Sequence, residues 1–182
     1  MVRPDRKQSL SSPLMYAFRR AHAARDATKR LDLRDDAGDR VVAQRRKTAR
    51  VAITEPALRR ELARDLEALV NTVALESTLD LQAFDGVRRS VLNFGFPDIA
   101  HRAIDEISVD NIKDELKAVL LAYEPRLVAG TVKVTRDASL DTAALKVRFF
   151  IRADLICQPL NVPVEFVADV ELDSAKITIK HG

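Results

Sequence analysis

The spacing of apolar residues along the chain changes from a helical period to a strand period close to Pro125. Thr54 is a good helix N-cap and Pro56 suits a first turn, so a helix is predicted to follow them. Its apolar stripe comprises Leu58, Leu62, Leu66, Leu69, Val70 and Val73. A later helix, which we expect Ser108 to cap and Pro125 to end, has a stripe of Ile112, Leu116, Val119, Leu120 and Tyr123.

Beyond Pro125, apolar and polar residues alternate, as in strands with one buried face. Two segments, 145–155 and 164–172, fold back on each other about Gln158-Pro159 in one favoured register. On one face this register gives three opposite-charge pairs: Lys146 with Glu171, Arg148 with Asp169, and Arg152 with Glu165. On the other it pairs Val147 with Val170, Phe149 with Ala168, and Ile151 with Phe166. A slip by one residue would turn the apolar face to water, so the register is well specified.

Two further strands are predicted on either side of this hairpin. One covers about 128–136, with Val132 and Val134 inward. The other covers Lys176–Lys180, whose outward lysines are typical of a protected sheet edge. The fold class is therefore predicted to be α+β, with N-terminal helices packed on a C-terminal antiparallel sheet of three to four strands.

Charge divides the chain into a predicted N-terminal arm, residues 1–50, and a body, residues 51–182. The arm holds 14 Lys/Arg against 6 Asp/Glu, whereas the body holds 16 against 21. We expect the arm to be partly disordered, with a short amphipathic helix from Pro13 to about Arg30 and a linker at 35–39. Without aromatic platforms, the basic arm favours docking on a protein partner over binding nucleic acid.

The chain carries few signs of export or membrane insertion. One cysteine, Cys157, excludes an intramolecular disulfide and is interpreted as a structural thiol. No apolar run approaches the roughly 18 residues needed to span a bilayer, and no signal-peptide pattern follows the N-terminal basic residues. We therefore expect a cytoplasmic protein.

Two short motifs remain outside these patterns. Asp85 is expected to cap a short helix that ends near Asn93, where Gly95 permits positive φ and Pro97 excludes helical geometry for its neighbour. Asn93, Gly95 and Pro97 are thus predicted to form a structural turn, and Asn93, Phe94 and Gly95 are expected to pack on the domain's own core. In Glu124-Pro125-Arg126, a helix-ending proline separates an acid from a guanidinium. The residues alone allow Glu124 and Arg126 to be two solvated charges.

Three segments carry a resemblance to a known family. They are residues 58–72, ending in Asn-Thr, residues 89–99, and residues 123–127. In this order they resemble the TssE family, small baseplate subunits of bacterial type VI secretion systems related to the baseplate wedge proteins of contractile phage tails. The resemblance covers roughly residues 58 to 172.

The resemblance implies a structural subunit without enzymatic activity. It implies association with TssF, TssG and TssK in the baseplate wedge, docked at the inner membrane from the cytoplasmic side. It also implies nucleation of the TssB/TssC sheath by strand addition to the sheet. In the family, the acid–Pro–Arg segment lies at the contact with the wedge core. Glu124, Pro125 and Arg126 are therefore expected to bind a partner, with Glu124 orienting the guanidinium.

No recognisable catalytic or metal-binding motif accompanies these features. The three histidines, His22, His101 and His181, lie apart, and neither a CxxC motif nor a glycine-rich phosphate loop occurs. We predict no catalytic residue, metal or cofactor. Two alternatives stay open: a regulatory adaptor or anti-adaptor on the same fold, and a peptidoglycan hydrolase using Glu76 and Asp80 as its carboxylate pair.

Overall fold

The computed structural model describes residues 14–25, 53–100, 106–137, 146–157 and 160–182. Most of the arm that is predicted to be partly disordered lies outside the described residues, as do the linker at 35–39 and the turn at Gln158-Pro159. The boundary between arm and body after residue 50 also lies outside them, so it stays a prediction.

The chain divides into two compact units, residues 1–61 with 157–159, and residues 62–156 with 160–182. In the first unit, helix α1 (Leu14–Ala23) is shorter than predicted. It ends because Arg25 adopts a left-handed backbone conformation, with a φ of 48°. Arg19 of this helix pairs with Glu61 at 2.6 Å, and Phe18 is exposed.

Helix α2 (Glu55–Val70) begins directly after Thr54, as the sequence predicted. Its apolar stripe is buried as far as Val70. The assignment of Val73 to this stripe is wrong, since its side chain is 55% exposed. The helix has ended by then, and the backbone on both sides of Val73 pairs with Phe96 instead.

The short helix predicted to end near Asn93 is divided into two pieces. Helix α3 (Asp85–Arg88) is followed by a 3-10 turn at Val91–Asn93. The division occurs at Ser90, whose extended backbone lets its hydroxyl accept a hydrogen bond from the N–H of Leu92 at 3.2 Å. Asp85 is therefore the first residue of α3 rather than its cap.

Helix α4 (Glu106–Tyr123) ends before Pro125, as predicted. It begins two residues before Ser108, so the prediction that Ser108 caps the helix is wrong. The predicted stripe on α4 is buried from Ile112 to Leu120.

The sheet contains four antiparallel strands in chain order: β1 (Lys133–Arg136), β2 (Lys146–Leu155), β3 (Val162–Glu171) and β4 (Lys176–His181). The predicted register of the central hairpin is confirmed at every pair, including its three charge pairs. These pairs lie at 3.1, 2.6 and 2.9 Å along the outer face. The apolar partners on the opposite face form much of the core.

The first strand begins later than predicted. A 3-10 turn at Ala129–Thr131 occupies the start of the predicted segment, and the hydroxyl of Thr131 donates to the carbonyl oxygen of Val128 at 2.8 Å. Val132 and Val134 are buried as expected. Helices followed by a four-stranded antiparallel sheet confirm the α+β class. Within the described ranges, every helix is too short or too polar to cross a bilayer.

Candidate protein interaction site

The loop after α4 is fixed to the end of β2 by its backbone. The N–H of Glu124 still bonds to Leu120, but Pro125 has no N–H with which to continue the helix. The N–H of Ile156 then donates to the carbonyl oxygen of Arg126 at 2.7 Å, and that of Val128 donates to Asp154 at 2.8 Å. The Glu-Pro-Arg segment is therefore anchored to the end of β2 by backbone hydrogen bonds.

An ion cluster joins this loop to helix α2. The guanidinium of Arg126 donates through Nε and Nη2 to the two carboxylate oxygens of Glu124, both at 2.6 Å. Its Nη2 also donates to Asp65 at 2.9 Å. Only 7% of the Glu124 side chain is exposed, against 28% for Arg126. This two-pronged geometry fixes the plane of the guanidinium.

The electrostatics of the cluster keep Arg126 charged. The hydrogen bonds to Glu124 raise the pKa of the guanidinium above its ordinary range; burial lowers it, and Asp65 adds to the rise. Glu124 needs this cation, because a buried carboxylate without a partner is costly. Among the described residues nothing bonds to Nη1 of Arg126, and Pro125 beside it is exposed. As far as the described residues are concerned, Nη1 therefore keeps its capacity to donate a hydrogen bond.

Asn93 organises a second set of contacts, thirty residues earlier. Its side chain is buried, accepts from the N–H of Glu76 at 2.9 Å and donates to the carbonyl oxygen of Arg88 at 3.0 Å. The hydroxyl of Tyr123 donates to the carbonyl oxygen of Asn93 at 2.8 Å. Asn93 thus connects the loop at Glu76 and the segment at Arg88 to the end of α4 by hydrogen bonds.

Gly95 lies where the turn approaches the end of α2. It has a φ of 142°, and a Cβ placed there would lie 2.4 Å from the carbonyl oxygen of Thr72. The next residue, Phe96, donates to that same oxygen at 2.7 Å and accepts from Ala74 at 2.9 Å. Pro97 follows and is partly buried. Only glycine allows the two backbones to come this close.

Two residues of these clusters had no functional signal in the sequence. Asp65 lies off the apolar stripe of α2, and its pairing with Arg126 spans 61 positions. Tyr123 was predicted as a core residue. Its hydroxyl instead bonds to the turn, and its pKa is raised by burial and, secondarily, by the charge of Glu76.

The remaining candidate residues do not converge. Within the described ranges, no group of three His, Cys, Asp or Glu side chains is placed to hold a metal ion. His181 lies against the ring of Phe166, Cys157 is buried, and Glu76 and Asp80 are exposed. His101 lies outside the described residues.

These features define a small α+β domain whose charged and hydrogen-bonded residues fix loops to helices and to a sheet. The chain belongs to the family of the baseplate wedge protein gp25, whose family model matches residues 56–160. The match includes all residues of the two clusters and ends before β3. No curated protein and no solved structure matches the chain. Family membership gives the protein a structural role in a baseplate and interaction with other baseplate proteins.

Proposed function

We propose that this protein is the TssE-type subunit of a type VI secretion baseplate. It would join TssF, TssG and TssK in the wedge, at a baseplate docked to the inner membrane from the cytoplasmic side, and would nucleate the TssB/TssC sheath. Family membership supports the baseplate role, and the resemblance of residues 58–72, 89–99 and 123–127 supports the secretion system.

The ion cluster at Arg126 carries the partner-binding part of the proposal. Two of the guanidinium nitrogens are held by acids of the same chain, whereas none of the described residues bonds to Nη1, and the neighbouring Pro125 is exposed. A guanidinium already fixed in one plane loses little freedom on binding, so it suits a carboxylate or carbonyl group on a rigid partner.

The second part of the proposal concerns the edge of the sheet. The side-chain amide of Asn71 occupies the outer edge of β4 at Ile177, donating to its carbonyl oxygen at 2.7 Å and accepting from its N–H at 3.0 Å. Alternate residues of a strand direct their backbone groups the same way, so those of Ile179 also face this edge. A sheath strand is therefore expected to add to β4 beyond Ile177.

The wedge contact can be tested without disturbing the ion cluster. Pro125→Asp adds a charge at an exposed position, and Ala118→Asp adds the same charge at an exposed site two helical turns away on α4. After co-expression with TssF and TssG, mass determination across a size-exclusion peak should show a complex for the wild type and Ala118→Asp. Pro125→Asp should lose it while remaining folded in thermal melts. A folded wild-type chain that binds neither protein would contradict the wedge assignment.

Sheath nucleation needs its own pair of variants. Ile179→Pro removes the N–H directed at the open edge, whereas Ile179→Ala shortens the same side chain and keeps that N–H. With purified baseplate and TssB/TssC, electron microscopy should show sheaths for Ile179→Ala and none for Ile179→Pro, with both variants folded. Equal sheath formation by the two would rule out strand addition at this edge.

A further inference from the structure

Helix α1 carries large apolar side chains that the rest of its unit does not cover. Met15 is 53% exposed and Phe18 is 61% exposed. They are three residues apart, so they lie about 60° from each other around the helix and share one face. Arg19 pairs with Glu61 of α2 at 2.6 Å. This pair holds α1 to α2 while Met15 and Phe18 stay in contact with solvent.

The charge around this face is positive. Residues 14–25 contain three arginines and no Asp or Glu, and Glu61 balances only one of these arginines. Arg20 is exposed, with its guanidinium over the ring of Tyr16, 5.6 Å from the ring centroid. The whole arm to which α1 belongs keeps the same sign, with 14 Lys/Arg against 6 Asp/Glu. A surface that covers Met15 and Phe18 must therefore be both apolar and anionic.

An anionic bilayer meets both requirements. A helix with apolar side chains on one face and arginines beside them lies in the plane of a membrane interface, with its apolar residues below the headgroups. A bilayer needs only one face of the helix, whereas a protein groove encloses both flanks, and one flank of α1 is already bound to α2 through Arg19. Nucleic acid supplies phosphates but no apolar layer for Met15 and Phe18.

We propose that α1 binds the surface of an anionic membrane. Met15 and Phe18 enter the headgroup region, and Arg20 lies among the lipid phosphates. Because only two large apolar side chains take part, the binding is weak, reversible and sensitive to salt. The proposal uses no residue of the Arg126 cluster and does not rest on the assignment to a secretion system.

Tryptophan fluorescence locates the contact, because the chain contains no Trp of its own. Phe18→Trp places a reporter on α1, and Phe84→Trp places one in the body at a side chain that is 60% exposed. Each full-length variant is titrated with vesicles of phosphatidylglycerol and phosphatidylcholine in equal parts, and with vesicles of phosphatidylcholine alone. The emission of Phe18→Trp should move to shorter wavelength with the anionic vesicles only, and that of Phe84→Trp should not move.

Co-sedimentation with the same anionic vesicles measures the affinity. Phe18→Ser should lower binding about tenfold and Arg20→Gln about fivefold. The matched changes Phe84→Ser and Lys133→Gln, both at exposed positions of the body, should leave binding unchanged. NaCl at about 0.5 M should release the wild-type chain from the vesicles.

Absence of binding by the wild type, equal binding to the two kinds of vesicle, or an equal loss with Phe84→Ser would each overturn the proposal. Binding that Arg20→Gln weakens and Phe18→Ser does not would overturn it too, because the arm would then act by charge alone. If the wild type ignores the vesicles and Phe18→Ser prevents the complex with TssF and TssG, a protein partner covers this face instead.

Discussion

Substitution of Arg126 by methionine would remove the only side-chain cation that bonds to Glu124 among the described residues. Methionine keeps much of the side-chain length but none of the three hydrogen bonds that the guanidinium makes to Glu124 and Asp65. Breaking a buried pair from one side costs about 3–5 kcal/mol, because the remaining charge stays buried. Since 28% of Arg126 is exposed, we expect the lower end, about 3 kcal/mol.

Urea denaturation followed by circular dichroism measures this cost. The double variant Glu124→Gln/Arg126→Met should be more stable than Arg126→Met by about 1–2 kcal/mol, because a neutral amide is easier to bury than a carboxylate. Arg148→Met is the control, since it breaks an ion pair on the outer face of the sheet and should cost much less. A loss below about 1 kcal/mol for Arg126→Met, or no recovery in the double variant, would refute the reasoning.

Three further predictions concern other parts of the body. Gly95→Ala should destabilise the protein by more than about 3 kcal/mol in urea, whereas Gly86→Ala, where an added Cβ meets nothing within 4 Å, should stabilise it slightly. Two cations hold the pKa of Asp169 below its ordinary 3.8, so its contribution is present above that pH and is lost below it. Asp169→Asn should therefore cost about 1 kcal/mol at pH 7 and progressively less in thermal melts as the pH falls below 3.8, and a pH-independent difference would contradict this. Asn71→Ala should cost about 1–2 kcal/mol and, by uncovering Ile177, promote association visible by light scattering; an unchanged monomer with unchanged stability would refute it.

The central hairpin could be predicted residue by residue because two independent patterns agree on it. The apolar alternation selects the buried face, and the spacing of Lys146, Arg148 and Arg152 matches that of their acidic partners in only one register. Helix ends were less predictable. In the sequence, Val73 continues the helical stripe. In the structure, the backbone on both sides of Val73 forms hydrogen bonds with Phe96 and does not continue the helix. That competition depends on residues more than twenty positions away.

The candidate site could also be predicted only in part from the sequence. A helix end at Pro125 follows from the sequence, since proline cannot donate the next hydrogen bond. The two-pronged bond between Glu124 and Arg126 is local enough to have been expected from their spacing. The contribution of Asp65 could not have been expected, because it requires α2 and the loop after α4 to meet. A polar residue off the apolar stripe gives no sign of its partner.

The arrangement at Arg126 also constrains how substitutions there can be interpreted. The same guanidinium neutralises a buried carboxylate through Nε and Nη2, while none of the described residues bonds to its Nη1. Removing Arg126 therefore weakens the loop and any partner contact together, so a lost complex would not distinguish the two roles. Pro125 does distinguish them, because it is exposed next to Arg126 in the chain and makes none of the hydrogen bonds of the ion cluster. Pro125→Asp is therefore expected to lower the affinity for the partner with a much smaller loss of stability than Arg126→Met. Arg126→Met, which breaks the ion cluster, is expected to lower both the affinity and the free energy of unfolding.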